Sequence, residues 1–283
     1  MVASEGFRDP ETLDYLASSM TGKPRAGALD ILSMSVREIK AMLASLEKPD
    51  HVLYARLTRD TRPSVRQLGY SALRHGRSLA ANEEIFREGN IRFIAGADEA
   101  GRGALAGPLV AAAVMFSPGT VVKGVNDSKM LTPERRDELY DIIINKAESI
   151  CVVFIDSGLI DRFGIQPANM QALGEALAGI DDRCQCAICD HFTLSGCDVP
   201  TYGIPKADET FQSVAAASIL AKVERDRVMK SLHSRFPRYN FEANKGYGTV
   251  EHMSALAVYG PCEVHRKSFS GVLPDEEIRL WEG

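Results

Sequence analysis

No apolar run in the chain approaches the roughly 18–20 residues that a membrane-spanning helix needs, so no helical span is expected. The first residues, MVASEGFRDPETLDYL, are acidic and interrupted by Pro10. They lack the basic flank and apolar core of a secretory signal, and the expected location is cytoplasmic. An excess of positive charge is also missing, since 33 Lys and Arg face 38 Asp and Glu for a net charge of −5. That balance argues against a general nucleic-acid coat protein, although local basic tracks remain compatible with it. A standard zinc pattern is absent too. Six cysteines stand at 151, 184, 186, 189, 197 and 262, and the spacing C-x-C-x2-C-x7-C over Cys184, Cys186, Cys189 and Cys197 is not a usual ligand arrangement. Cys189 falls in a predicted strand, where neighbours alternate faces. Whether these four hold a metal is left open, and reduced, partly buried thiols are the ordinary reading.

What is present is the composition of a globular protein: 283 residues, 45% hydrophobic and 25% charged. That length accommodates one large or two small domains. The chain is organised around Ile94 to Met115, IAGADEAGRGALAGPLVAAAVM. An apolar strand places the adjacent carboxylates Asp98 and Glu99 at its end, turns through Gly101, Arg102 and Gly103, and leaves on a second apolar run. Neighbouring carboxylates raise the cost of charging one another and are tolerated where a cation or a shared proton neutralises them. Glycines let the main chain approach a ligand closely. The stretch reads as a metal-dependent site beside a loop that touches a phosphate or sugar.

Before this stretch, residues 1 to about 30 carry little pattern and read as a loose tail. SVREIKAMLASL then has a Ser35 cap, a Glu three residues later and apolar Ile39, Met42, Leu43 and Leu46 at helical spacing. A second helical region is predicted from about Ser64 to Glu88, with an interruption near Gly76. Residues 1–90 thus form a small helical extension, and 91–283 the main domain. In that domain, strands over Arg92–Ala97, Pro108–Phe116, Ile150–Ile155, the run into Asp190 and Tyr202–Ile204 alternate with helices. The helices include PERRDELYDIIINKA, capped by Thr132 with Pro133 at its first position, a stretch around Asn169–Ile180, a long helix from about Thr210 to Arg235, and Val250–Tyr259. Phe269 and Trp281 are expected to pack the tail. Such alternation predicts an α/β fold with helices on both faces of a sheet. The small residues Ala215, Ala216, Ala217 and Ser218 let the long helix lie close to that sheet.

Asp190 also closes an apolar strand, so adjacent strands could bring it and Asp98 to one sheet edge, where function in open α/β sheets tends to sit. Asp208 precedes the long helix and could either cap it or face the same edge. An all-oxygen donor set suits Mg²⁺ or Mn²⁺. Two cationic tracts stand out. Arg56, Arg59, Arg62, Arg66, Arg74 and Arg77 are either a solvated helix face or a binding surface. Lys222, Arg225, Arg227, Lys230, Arg235, Arg238, Lys245, His265, Arg266 and Lys267 form the second.

The Ile94–Met115 stretch resembles the signature of ribonuclease HII, and further pieces follow in order: NDSKML (Asn126–Leu131), ICDHFTL around Asp190, KADETFQSVAAASILAKVERDR (Lys206–Arg227), NKGYGT (Asn244–Thr249) and YGPCEVHRKSF (Tyr259–Phe269). The resemblance covers roughly Arg92 to Phe269, and because the second cationic tract lies within its motifs it implies that this tract follows a phosphate backbone. It implies an RNase H-like mixed sheet and hydrolysis of RNA in RNA–DNA hybrids and at ribonucleotides embedded in duplex DNA, leaving a 3′-hydroxyl and a 5′-phosphate. Asp98, Glu99, Asp190 and Asp208 would be the catalytic ligands of two Mg²⁺ or Mn²⁺ ions. Gly101, Arg102, Gly103, Lys129, Lys222 and Tyr247 would bind substrate, with Tyr247 stacking on a sugar or base; its alternative role is a packed aromatic at a turn. His265 and Arg266 could contact phosphate or be structural. Asp127, Asp156, Asp161 and Asp226 lie outside the family's acidic positions. Ala104 replaces a common proline, Met130 a lysine, and CDH stands where many members have VDG, which bears on loop geometry and not on the carboxylates. Some bacterial members carry an extension similar to VREIKAML, expected here to assist binding without taking part in chemistry. A ribonuclease HIII-like specificity fits less well, because GRG follows the HII pattern and the extension is not sheet-rich. A catalytically silent nucleic-acid-binding module is the rival from another class. A monomer is the expected assembly.

Overall fold

The computed structural model describes residues 34–44, 57, 62, 64–65, 68–69, 79–87, 91–125 and 131–273. Strands β1 (Ile94–Ala100), β2 (Leu109–Met115), β3 (Ser149–Ile155), β4 (Cys186–Asp190) and β5 (Thr201–Ile204) form one sheet in the order β3-β2-β1-β4-β5. β2 is antiparallel to both β1 and β3, whereas β1, β4 and β5 run parallel. The sheet is therefore mixed, and its parallel half brings the C-terminal ends of β1, β4 and β5 to one edge. β1 extends three residues beyond its predicted end at Ala97, because Asp98, Glu99 and Ala100 continue to pair with Ala112, Ala111 and Val110. The acidic pair lies inside the β1–β2 ladder, just beyond the last β1–β4 pair at Ala97 and Cys189.

Among the described residues the helices are α1 (Val36–Ala44), α2 (Leu79–Arg87), α3 (Pro133–Lys146), α4 (Ser157–Phe163), α5 (Ile165–Ala178), α6 (Gln212–Arg235), α7 (Phe241–Asn244) and α8 (Val250–Tyr259). None is long and apolar enough to cross a membrane. Thr132 caps α3 by accepting from the Arg135 N–H at 3.3 Å, with Pro133 inside the first turn as its sequence predicts. The helix expected around Asn169–Ile180 begins earlier. Gly164, at φ 83°, separates it from α4, a backbone state open to glycine at little cost.

The two faces of the sheet bury different helices. Ala95, Ala97, Leu109, Ala111, Ala113 and Met115 pack on Ala168, Ala172, Leu173 and Ala176 of α5. Val110, Ala112 and Val114 pack on Ala215, Ala216, Ile219 and Leu220 of α6, with Leu139 and Ile143 of α3 behind. The period-2 alternation of the strands selects these faces. Along β1 the α6 face reads Ile94, Gly96, Asp98. At Gly96 the α6 backbone comes so close that a Cβ would overlap atoms of Ser213 and Val214. The run of small residues in α6 serves this close approach.

In the N-terminal segment, Ser35 and Glu38 form a reciprocal capping box, with Ser35 N–H donating to Glu38 Oε2 at 2.7 Å and Glu38 N–H to Ser35 Oγ at 3.3 Å. Ile39, Leu57 and Val65 make a small separate cluster. Gly76, Trp281 and about half of the second predicted helix lie outside the described residues, although α2 falls within its limits.

Gly96→Ala should destabilise the protein by about 2–3 kcal/mol through overpacking against helix backbone, which has no side-chain freedom with which to yield. Urea unfolding checks it, and an unchanged midpoint would contradict the packing described.

Candidate active site

Extending the β1–β4 register one residue beyond Ala97 and Cys189 sets Asp98 beside Asp190. Both then share the face of Gly96 and Ile188, under α6. A hydrogen bond with Ser218 of α6 ties Asp98 to that helix. Asp190 Oδ1 accepts from the Ala207 N–H at 2.9 Å, which joins the end of β4 to the short 3₁₀ turn Ala207–Glu209. Asp208, buried in that turn, accepts from the Glu209 N–H at 3.1 Å. It does not cap α6, whose N-cap is Phe211 and has no side-chain cap bond. Glu99 alternates to the α5 side of the sheet, half-buried and close enough for its charge to bear on both Asp98 and Cys189.

Burial raises the Asp98 carboxyl well above the usual carboxylate range, and the charges of Glu99, Asp190 and Asp208 push it further the same way, against the Ser218 hydrogen bond. Such a cluster calls for a counter-cation or a proton. The donors are oxygens; Cys189 behind them is buried in the core, its thiol pushed up to about 12, chiefly by burial. Among the described residues no three Asp, Glu, His or Cys side chains already enclose a common ion position. An open, oxygen-lined edge of this kind suits ions that keep several waters and bind phosphate oxygens alongside one or two carboxylates. Cys186 and Cys189 belong to cores on opposite faces of the sheet, so the four clustered cysteines do not converge on a metal.

The glycine-rich turn is built on two guanidinium groups that sequence reading left in the cationic tract. Arg225 and Arg266 are fully buried. Arg225 donates to Pro108 O at 3.0 Å and Ala106 O at 3.2 Å, and Arg266 to Gly107 O at 3.0 Å and Arg102 O at 3.0 Å. Gly101, at φ 90°, lies so close over Arg225 that a side chain would overlap the guanidinium. Gly103 is exposed with open space around its Cα, so a ligand can reach the main chain there. Arg102 is braced by Gln166 Oε1 at 2.6 Å and lies 4.8 Å from the centre of the Phe192 ring. In the sequence the buried pair is marked by its place inside the KADETFQSVAAASILAKVERDR and YGPCEVHRKSF motifs.

Leu105 N–H donates to Gly246 O at 2.8 Å, joining this turn to the KGYGT loop. Tyr247 is 37% exposed, with Arg225 5.2 Å and Lys222 6.0 Å from its ring centre. Two buried histidines hold its backbone, and His252 was not singled out in the sequence. Cys262 N–H donates to His265 Nδ1 at 2.9 Å, which places the His265 proton on Nε2. That proton points to His252 Nε2 at 3.0 Å, and His252 Nδ1–H donates to Tyr247 O at 2.9 Å. Burial, and then His252, lowers His265 to about 4, in keeping with a neutral chain.

The second cationic tract is not a continuous phosphate track. Arg225, His265 and Arg266 are buried, Lys222 pairs with Asp226 at 2.7 Å, Arg227 with Glu224 at 2.9 Å and Arg235 with Glu263 at 2.6 Å. Lys222 is half-buried, and burial lowers its pKa. Asp156 caps α4 and Asp161 accepts from the Lys267 and Ser268 amides, so these acids, like Asp226, have structural partners. Of the first tract only Arg62 is described, donating to Met34 O at 2.5 Å. Lys129 and Asp127 lie outside the described residues. His191, in the CDH departure, has φ 65°, a left-handed state that costs a non-glycine residue about 1 kcal/mol.

A family model described as Ribonuclease HII matches residues 95–272. The Ribonuclease HII of Geotalea uraniireducens (strain Rf4) is 46% identical over 195 residues, covering 69% of this chain and 90% of that protein. The Ribonuclease HII of Clostridioides difficile (strain 630) is 39% identical over 246 residues, covering 83% of this chain and 96% of the relative. A match that long cannot fit within residues 92–283 and so reaches into the N-terminal segment. The crystal structure of the ribonuclease H2 from Pyrococcus horikoshii OT3 is similar in fold, with a TM-score of 0.58 and 24% identity, covering 68% of this chain and 100% of that one.

Because the folded pKa of Asp98 is raised, the metal-free native state binds more protons than the unfolded chain, and stability falls as pH rises from about 4 through the folded value. Asp98→Asn should be as stable as the parent or more so above that window, and less dependent on pH. Melting temperatures of both proteins in chelator across pH 4–8 check this; a parallel pH profile with a lower melting temperature for the variant would contradict it.

Proposed function

The chain belongs to the ribonuclease HII family and is an enzyme of the ribonuclease H class; on that premise we propose that it hydrolyses RNA in RNA–DNA hybrids and cuts on the 5′ side of ribonucleotides embedded in duplex DNA. The products carry a 5′-phosphate and a 3′-hydroxyl, and the enzyme acts as a monomer. The observation that carries this reading is the meeting of Asp98, Asp190 and Asp208 at one strand edge next to an open glycine-rich turn.

Asp98, Glu99, Asp190 and Asp208 would hold two Mg²⁺ or Mn²⁺ ions. When bound, such a pair supplies an activated water and charge stabilisation for the leaving oxygen of a phosphodiester. The chain's own part is positioning. Asp98 is fixed by the β1 ladder and Ser218, and Asp190 by the Ala207 amide, so the carboxylates need little reorganisation when substrate arrives. Arg102, braced by Gln166, and Lys222, paired with Asp226, would contact the substrate phosphates, and Lys129 is assigned the same role from its motif alone.

Discrimination between RNA and DNA requires polar atoms directed at the 2′-hydroxyl, which both donates and accepts. The main chain of Gly101, Arg102 and Gly103 supports that task, because Arg225 and Arg266 engage the carbonyls at its base while Gly103 stays open. Tyr247 offers an exposed ring to the neighbouring sugar. One ribonucleotide satisfies such a reader. Residues 1–90 form an extension to the catalytic domain of residues 91–283.

End-labelled duplexes carrying a long RNA tract or a single ribonucleotide, incubated with Mg²⁺ or Mn²⁺, test the proposal. Both should be cut, the second 5′ of the ribonucleotide, and Asp98→Asn or Asp190→Asn should each lower kcat about a thousandfold or more. Tyr247→Ala should weaken cutting at single ribonucleotides more than within long hybrids. Binding without cleavage would point to a silent module, and an intact single-ribonucleotide duplex beside cleaved hybrid would overturn the role given to the turn.

A further inference from the structure

The N-terminal segment reaches the start of α6, just after Asp208 in sequence, through helix α2. Asn82 and Glu83, adjacent on that helix, are each only 1% exposed. Asn82 Nδ2 donates to Thr210 O at 2.8 Å, and Glu83 Oε1 accepts from the Ser213 N–H. Helix α6 has no cap from its own N-cap side chain, so Glu83 supplies that acceptor from 130 residues away. A carboxylate there also complements the positive end of the helix dipole.

The two contacts bracket a decisive stretch. Thr210 follows Asp208 by two residues, and Ser213 rests against Gly96, two residues before Asp98. The next residue of α2, Glu84, accepts from the Gly119 N–H at 3.3 Å, while Gln212 accepts from Val122 N–H at 2.8 Å and donates to Thr120 O at 3.0 Å. One helical turn of the N-terminal segment thus pins the start of α6 and the loop in front of it.

We propose that Asn82 and Glu83 are positioning residues for Asp208 and, through Ser213 and Gly96, for Asp98. The N-terminal segment completes the geometry of the acidic site, and its contribution is not confined to nucleic-acid affinity. This rests on the reading of Asp98 and Asp208 as metal-holding residues. Neither Asn82 nor Glu83 is a ligand; each acts through backbone atoms of the segment that carries the ligands.

The test compares Glu83→Ala, Glu83→Gln and Asn82→Ala in the full chain, by kcat and KM on a hybrid duplex and by calorimetric titration with Mn²⁺ in the absence of nucleic acid. Small displacements of reacting groups are costly in rate, so Glu83→Ala and Asn82→Ala should each lower kcat by about tenfold, weaken Mn²⁺ binding by a similar factor and leave KM within about twofold. Glu83→Gln keeps the acceptor for Ser213 and should behave as the parent. Parental kcat and Mn²⁺ affinity in the alanine variants, with only a lower melting temperature, would overturn the proposal, as would a rise in KM alone. Should Glu83→Ala not fold, Asn82→Ala still decides, because it must lose kcat where Glu83→Gln does not. If the parent itself leaves hybrids uncut, the functional reading fails, while the Mn²⁺ titration still tells: weaker binding in Asn82→Ala supports positioning, and equal binding overturns it.

Discussion

Mutual repulsion among buried carboxylates is the constraint that the rest of the molecule serves. Asp98 is buried beneath α6, which alone raises its pKa, and the charges of Glu99, Asp190 and Asp208 raise it further. A flexible loop would relieve that repulsion by moving apart. This fold forbids it, because Asp98 is tied on one side by the β1–β2 ladder and above by a helix whose backbone rests on Gly96. The small side chains of α6 and the missing Cβ at Gly96 are thus part of the electrostatics as well as of the core. A cluster held under such tension calls for a counter-cation or a proton.

The positive side of the site is arranged differently. Arg225 and Arg266 are buried against the turn and donate to main-chain carbonyls of residues 102, 106, 107 and 108. Burying guanidinium groups carries a desolvation cost, seen in the lowering of Arg266 to about 9. In return the turn is fixed from below, at the further cost of Arg225 Nη1 left buried without a hydrogen-bond partner, and its outer surface stays bare at Gly103. The neutral histidine chain from Cys262 to Tyr247 plays the same part for the neighbouring loop.

Much of this was legible in the sequence. Alternating strands and helices gave the layered fold, the Thr132-Pro133 pair marked the start of α3, and the Ser35/Glu38 box that of α1. Strand-end placement of Asp98 and Asp190 led to a shared edge, which the β1–β4 register brings about. What escaped was long-range and dry. A basic residue in a motif reads as a phosphate contact, and nothing in local spacing marks Arg225, His265 and Arg266 as buried. Asp208 had two roles open to it, and only the position of Phe211 at the helix cap removes one. The contacts from Asn82 and Glu83 join residues about 130 positions apart, beyond the reach of periodicity.

The central claim is that Asp98, Glu99, Asp190 and Asp208 together gather divalent cations at the edge of the sheet. Anomalous scattering from Mn²⁺ in crystals of the protein bound to an uncleavable ribonucleotide-containing duplex would test it most directly. The account predicts two anomalous peaks, about 4 Å apart, within ligand distance of these carboxylates and of one phosphate oxygen. Peaks elsewhere on the protein, or a duplex seated with its phosphates away from Asp98 and Asp190, would contradict it.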